Sequence, residues 1–282
     1  MKSIGFIDFY LSEWHANNYP AWLSEVNEKN GTDFAVKYAW AEQEVSPRDG
    51  VTSAQWCEKF GVELCSSLEE LCEKSDYLLI LAPSDPEKHL QYAKTALKYG
   101  KPTYIDKTFA PNEAEAREIV SLADEYGTPF FSTSALRFAS ELDLVKNPRV
   151  AMVAAGGLNT PEYIIHPLEM VAVALGTDAE WVRADATQSE KSWHVAYPDG
   201  KYATLLYADP LPNLLYLSDG CGNEKYAEVV SPFFSRLMSA ILDLFDSGDP
   251  AVKAEETLGV MRLRDALLAS LDCPGEKVFL AK

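Results

Sequence analysis

The feature that most constrains this chain is a rhythm in its first half. Short apolar runs at residues 3–8, 34–41, 77–82, 103–106 and 129–132 alternate with amphipathic stretches of helical period. A short run that is apolar throughout is buried on both faces, so the alternation describes a parallel sheet covered by helices on each side. The helix starts carry their own marks. Ser67 precedes Glu70, and Asn112 precedes Glu115, at the spacing of a capping box, in which a side-chain oxygen satisfies an amide the helix leaves orphaned. Between them Asp85 can cap, Pro86 sits where its missing N–H costs nothing, and Leu90, Ala93 and Leu97 form a stripe that Gly100 ends. Residues 1–135 are therefore expected to form a doubly wound α/β domain.

From residue 136 to 282 the texture changes. One helix-like run at 161–175 is followed by strand-like stretches at 193–197 and 202–207, which flank the hairpin signal Pro198-Asp199-Gly200. Stretches at 214–218 and 226–230 flank a turn bearing Gly220 and Gly222, and helical runs at 232–245 and 255–271 follow. This pattern predicts an α+β domain with an open, mostly antiparallel sheet, its last helix able to pack back on the first domain.

Composition limits the partners. Of 282 residues, 47% are hydrophobic, enough for ordinary cores without staples. Forty-three acidic against 25 basic side chains give a formal charge of -18, which repels nucleic acid and anionic membrane surfaces. The opening residues lack a secretory h-region, and no run approaches a membrane span, so a cytoplasmic location is expected. Cys57, Cys65, Cys72, Cys221 and Cys273 show no CxxC spacing and read as reduced structural residues, with no metal site implied.

Residues 77–138 resemble the signature stretch of the glucose-fructose oxidoreductase/inositol dehydrogenase (Gfo/Idh/MocA) family. There a strand ends in Pro, a His opens the next helix, and a Gly-Lys turn leads to a strand ending in Glu-Lys-Pro. The matching residues here are Pro83, His89, Gly100, Lys101 and Asp106-Lys107-Thr108, followed by Arg137-Phe138. A second stretch with Glu162, His166 and Glu169 resembles the family's Asp-x-x-x-His-x-x-Asp helix with both acids changed to Glu. The resemblance implies a Rossmann domain, a second domain whose open sheet forms a homodimer or higher homo-oligomer, and hydride transfer between NAD or NADP and a sugar, polyol or related compound.

The chemistry falls on few residues. Lys107 would sit at the carboxyl end of a parallel strand, where doubly wound sheets bind ligands; in the family this lysine contacts substrate and nicotinamide. Glu162 and His166, four apart on a predicted helix, share a face, so the carboxylate can orient the imidazole. The resemblance implies that His166 takes the hydroxyl proton while Lys107 supports the oxygen. Glu169 is read as a solvated glutamate one turn on. His89 matches a positioning residue, Arg137 and Tyr163 are candidates for substrate contact, and Pro83 and Asp106 flank the cofactor edge.

The family's glycine-bearing first turn has no counterpart. In one register its glycine positions hold Asp8, Tyr10 and Glu13; in the other they hold Ile7, Phe9 and Ser12. Glycines let the backbone approach the pyrophosphate, and a carboxylate in their place repels it. At about 5 Å and an effective dielectric near 20, the repulsion costs roughly 3 kcal/mol, more than about a hundredfold in affinity. Glu42, after the second strand, can hold a ribose hydroxyl, which favours NAD over NADP. Two readings follow: an NAD(P)-dependent oxidoreductase for a small polyhydroxylated metabolite, or a non-redox metabolite-binding or accessory protein on the same scaffold that has lost dinucleotide binding.

Overall fold

The computed structural model describes residues 2–157, 159–186 and 190–280. The chain divides into two compact units, one comprising the chain up to Thr133 together with Phe234–Ala254, the other Ser134–Phe233 together with the chain from Glu255 onward.

The first unit opens with β1 (Lys2–Asp8), α1 (Trp14–Asn30), β2 (Phe34–Ala41), α2 (Ser53–Phe60), β3 (Glu63–Leu64) and α3 (Leu68–Lys74). It continues with β4 (Tyr77–Ile80), α4 (Glu87–Ala96), β5 (Thr103–Ile105), α5 (Glu113–Tyr126) and β6 (Phe130–Phe131). The strands form one parallel sheet in the order β3-β2-β1-β4-β5-β6, as the alternating pattern predicts. The progression of strands reverses between β1 and β4, and the crevice at the carboxyl ends of such strands is where doubly wound sheets bind ligands. Gly5 lets α3 lie close against β1: a Cβ there would come within 2.3 Å of Ser75 Oγ and 2.7 Å of Leu71 Cδ2.

The caps behave as their spacing requires. Ser67 Oγ accepts from Glu70 N at 3.1 Å, though the Glu70 carboxylate reaches Ser66 rather than the cap residue. Asn112 Oδ1 accepts from Glu115 N at 3.0 Å. The sequence reading missed α2, which starts with a full capping box between Thr52 and Gln55. It also expected a side-chain cap for α4, which instead starts at Pro86 without one.

The second unit contains β7 (Val150–Ala155), α6 (Thr160–Tyr163), α7 (Ile165–Leu175), β8 (Trp181–Ala186), β9 (Lys191–Ala196), β10 (Tyr202–Tyr207), β11 (Leu214–Ser218) and β12 (Glu224–Glu228). After β12, α8 (Phe233–Ser247) runs from Phe234 within the first unit, where Phe245 stacks on Tyr77 at 4.6 Å and Phe234 on Trp22 at 4.4 Å. The chain then forms α9 (Ala254–Ser270) and β13 (Val278–Phe279). The helix grouped with the first unit is thus the penultimate one, not the last.

The second sheet runs β12-β11-β7-β10-β9-β8-β13 and is antiparallel except between β7 and β10. The helix expected at 161–175 is divided after Tyr163, because Pro167 has no amide hydrogen to return to the Tyr163 carbonyl.

Candidate active site

At the carboxyl edge of the first sheet, β1 ends in Asp8 and β5 leads into Asp106 and Lys107. Asp8 is 1% exposed; its Oδ1 accepts from Phe9 N at 2.7 Å and Ala82 N at 3.1 Å, while Oδ2 has no hydrogen-bond partner among the described residues. Burial and the neighbouring Glu13 push the Asp8 carboxyl well above the usual carboxylate range. Glu13 is the N-cap of α1. Its Oε2 accepts from His15 N at 2.6 Å and its Oε1 from Ala16 N, so one carboxylate takes two amides of the helix's first turn. Burial raises its pKa too, against the pull of His15.

Asp106 closes this cluster. Its Oδ2 pairs with His15 Nδ1, and its Oδ1 accepts from the Tyr104 hydroxyl at 3.2 Å. Despite complete burial, the His15 ring holds the Asp106 carboxyl below its ordinary value. Asp106 therefore serves the structure of the strand end. Lys107, 6% exposed, donates from Nζ to the Pro83 carbonyl at 2.9 Å. His89, fully buried, faces the Leu81 carbonyl with Nε2 at 2.6 Å and the Phe109 carbonyl with Nδ1 at 3.0 Å. It ties the end of β4 to the segment after Lys107, and burial lowers its pKa although both carbonyls favour the proton.

Glu42 is already engaged: Lys88 Nζ lies 2.6 Å and the Tyr92 hydroxyl 2.9 Å from its carboxylate. Against partial burial, these two donors hold its pKa down. Tyr10 is half-buried beside Phe9, with ring centroids 6.0 Å apart, and burial raises its phenol.

In the second unit His166 Nδ1 lies 2.7 Å from Ser134 Oγ, and its ring lies 5.7 Å from that of Tyr163. Ser134 Oγ also accepts from Leu136 N at 3.3 Å. When Nδ1 carries the proton and donates to Ser134, Nε2 is left with a lone pair able to take a proton from a substrate hydroxyl. Ser134 was not singled out in the sequence. Glu162 lies on α6 and His166 on α7, so the carboxylate and imidazole sit on either side of the helix interruption at Ile164.

Two other groups differ from expectation. Glu169 is 3% exposed rather than solvated, and receives the Arg137 Nε at 2.7 Å. Arg137 also reaches Glu256 from Nη1 at 2.6 Å, so its guanidinium, a candidate for substrate contact, ties three segments of the second unit together. Burial opposes that charge, but Glu169 and Glu256 outweigh it and raise the pKa. Tyr207, also missed, ends β10 with a buried hydroxyl that has no partner among the described residues. That hydroxyl would lie 2.4 Å from a Cβ on Gly157, and Tyr163 Cγ 2.8 Å, so only glycine fits beside this tyrosine pair.

The first turn does not fit a dinucleotide in the seat that a glycine-bearing turn provides. The α1 amides of His15 and Ala16 are filled by Glu13, those of Phe9 and Ala82 by Asp8, and Leu11 is packed at 1% exposure. Among the described residues no group of His, Cys, Asp and Glu is arranged to hold a metal, and no helix is long and apolar enough to cross a membrane.

Comparison with known proteins gives the scaffold a context. Residues 36–134 match the model of an oxidoreductase family with an NAD-binding Rossmann fold, Gfo/Idh/MocA. A 72-residue stretch is 33% identical to the uncharacterized oxidoreductase YhhX of Escherichia coli, covering 24% of this chain and 21% of that protein. A putative myo-inositol dehydrogenase from Sinorhizobium meliloti superposes with a TM-score of 0.80 at 12% identity, each chain covered in full. GenD2 from gentamicin A biosynthesis, solved in complex with NAD, gives 0.78 at 12% identity, with 100% of this chain and 97% of that one covered. A probable dehydrogenase from Thermotoga maritima gives 0.79 at 15% identity and 98% coverage of both. These likenesses to solved structures carry the two-domain fold.

Proposed function

We propose, on the premise that this chain belongs to the Gfo/Idh/MocA oxidoreductase family, that it is an oxidoreductase acting on a sugar, polyol or related small hydroxylated metabolite. The observation that carries this reading is Lys107, an ammonium held at the carboxyl end of β5 by the Pro83 carbonyl, in a segment pinned by buried His89. In that role Lys107 donates to a substrate oxygen, and the resemblance to the family assigns proton uptake to His166, whose Nδ1 faces Ser134 Oγ at 2.7 Å and leaves Nε2 to accept. Glu162 tunes the histidine, and Tyr163 contacts substrate. No step is assigned to the dinucleotide, whose usual pyrophosphate seat is filled.

A second reading is favoured by that same filled seat: a metabolite-binding or accessory protein without redox turnover. A screen of sugars and polyols with NAD and NADP, read by nicotinamide absorbance, separates the two. The oxidoreductase reading expects turnover that Lys107→Ala and His166→Ala each abolish without loss of fold. Full activity in both variants contradicts the assignment. Self-association through the second sheet belongs to the same proposal, supported by Met152 and Leu206, which are 42% and 41% exposed on the neighbouring strands β7 and β10. Sedimentation velocity tests it.

A further inference from the structure

We propose that Glu13 sets this chain's affinity for phosphate-bearing cofactors: its carboxylate occupies the α1 amides that a pyrophosphate would use, a built-in anion in place of a bound one. The inference rests on the reading that a dinucleotide approaches this edge of the first sheet, and not on any turnover.

The N-terminus of a helix attracts anions because its first amides have no partners within the helix and its dipole favours negative charge. Here α1 spans Trp14–Asn30, long enough for a full dipole, yet two of those amides are already spent on the Glu13 side chain. The surroundings compound the exclusion. Asp8 Oδ1 takes up the amides of Phe9 and Ala82, two further backbone donors at this edge that a phosphate oxygen would otherwise meet. His15 commits its Nδ1 to the Asp106 carboxylate, so that ring nitrogen does not donate to an incoming anion.

Position 13 itself makes no demand for a glutamate. Its backbone, at φ -122 and ψ 174, is extended and open to any residue. Glycine and serine are accepted N-caps, so Glu13→Gly removes the carboxylate and frees both amides while leaving a residue the cap position tolerates. Glu13→Ser retains a neutral cap oxygen too short to block both amides.

The test is calorimetric titration of the natural chain, Glu13→Gly and Glu13→Ser with inorganic pyrophosphate and with NADH at fixed ionic strength, each protein's fold checked by circular dichroism. The expected result is that Glu13→Gly tightens both ligands by about tenfold to a hundredfold, the scale of one removed charge, with Glu13→Ser tightening less. Unchanged or weaker binding in both folded variants overturns the inference. Should Glu13→Gly not fold, Glu13→Ser alone decides. Binding of NADH by the natural chain with no gain in the variants would refute the role of Glu13 and leave the oxidoreductase reading intact. Binding only in the variants would support the role of Glu13 and contradict a dinucleotide-dependent function for the natural chain.

Discussion

Ser134 Oγ lies 2.7 Å from His166 Nδ1 while accepting the amide hydrogen of Leu136, so one hydroxyl caps a helical turn and steers an imidazole. Replacing it tests which tautomer His166 uses. Ser134→Ala removes the acceptor that holds the proton on Nδ1, and a net hydrogen bond of this kind is worth about 1 kcal/mol. The expected outcome is an altered His166 titration by NMR and a fall of about fivefold in kcat with little change in KM. A His166 titration identical in the variant would show that Ser134 does not govern the ring.

The buried carboxylates of the first unit act on stability in opposite directions. Burial and Glu13 raise the Asp8 pKa above its unfolded value, so between the two values the folded chain holds a proton that the unfolded chain has released. The stability linked to Asp8 is therefore fully present below the ordinary value of 3.8 and is lost as pH rises through the folded value. Asp106 is held below 3.8 by His15, and its contribution is present above that value and lost as pH falls through the lowered one. Asp8→Asn should flatten the decline in stability toward neutral pH and make the protein more stable there, as measured by urea unfolding across pH 4 to 8, a window of about four units. Parallel curves for variant and natural chain would refute the assignment.

Gly5 is required by packing. A Cβ would sit 2.3 Å from Ser75 Oγ and 2.7 Å from Leu71 Cδ2, so Gly5→Ala should destabilise the first unit by about 1–3 kcal/mol. Adding Ser75→Ala removes the nearest obstructing atom and should recover part of the loss in thermal unfolding. A neutral Gly5→Ala would mean that α3 shifts freely on β1.

The thiols should divide by burial. Cys57, Cys65 and Cys72 are buried, with burial pushing the first two up to about 11 and the third up to about 12. Cys221 is exposed and Cys273 half-buried. Titration with an aromatic disulfide should label Cys221 first, Cys273 more slowly, and the other three on unfolding. Prompt native reaction of Cys72 would contradict the packing of α3.

What the sequence made legible was local. The hairpin at Pro198-Asp199-Gly200 forms because Asp199 and Gly200 adopt φ of 62 and 71, conformations that Asp and Gly accept more readily than most residues. Capping boxes and alternating runs likewise carry their information within a few residues. The misread positions depend on distant partners. Glu169 looks like a solvated helix residue until Arg137 and Glu256 enclose it, and Glu42 looks available for a ribose until Lys88 and Tyr92 of α4 are seen to hold it. Ser134 is separated from His166 by 32 residues. Glu13 was noticed for the charge it brings, yet its cap could have been anticipated from an acidic residue immediately before a helical run. Glutamate is an uncommon cap, which hides the signal.

The most direct test of the central claim is titration of the natural protein with NADH and NADPH, followed by calorimetry and nicotinamide fluorescence. An oxidoreductase of this family is predicted to bind at least one of them saturably, though weakly while Glu13 holds the α1 amides. A folded protein that shows neither heat nor fluorescence change at millimolar cofactor would contradict the oxidoreductase reading and leave a metabolite-binding role on the same scaffold.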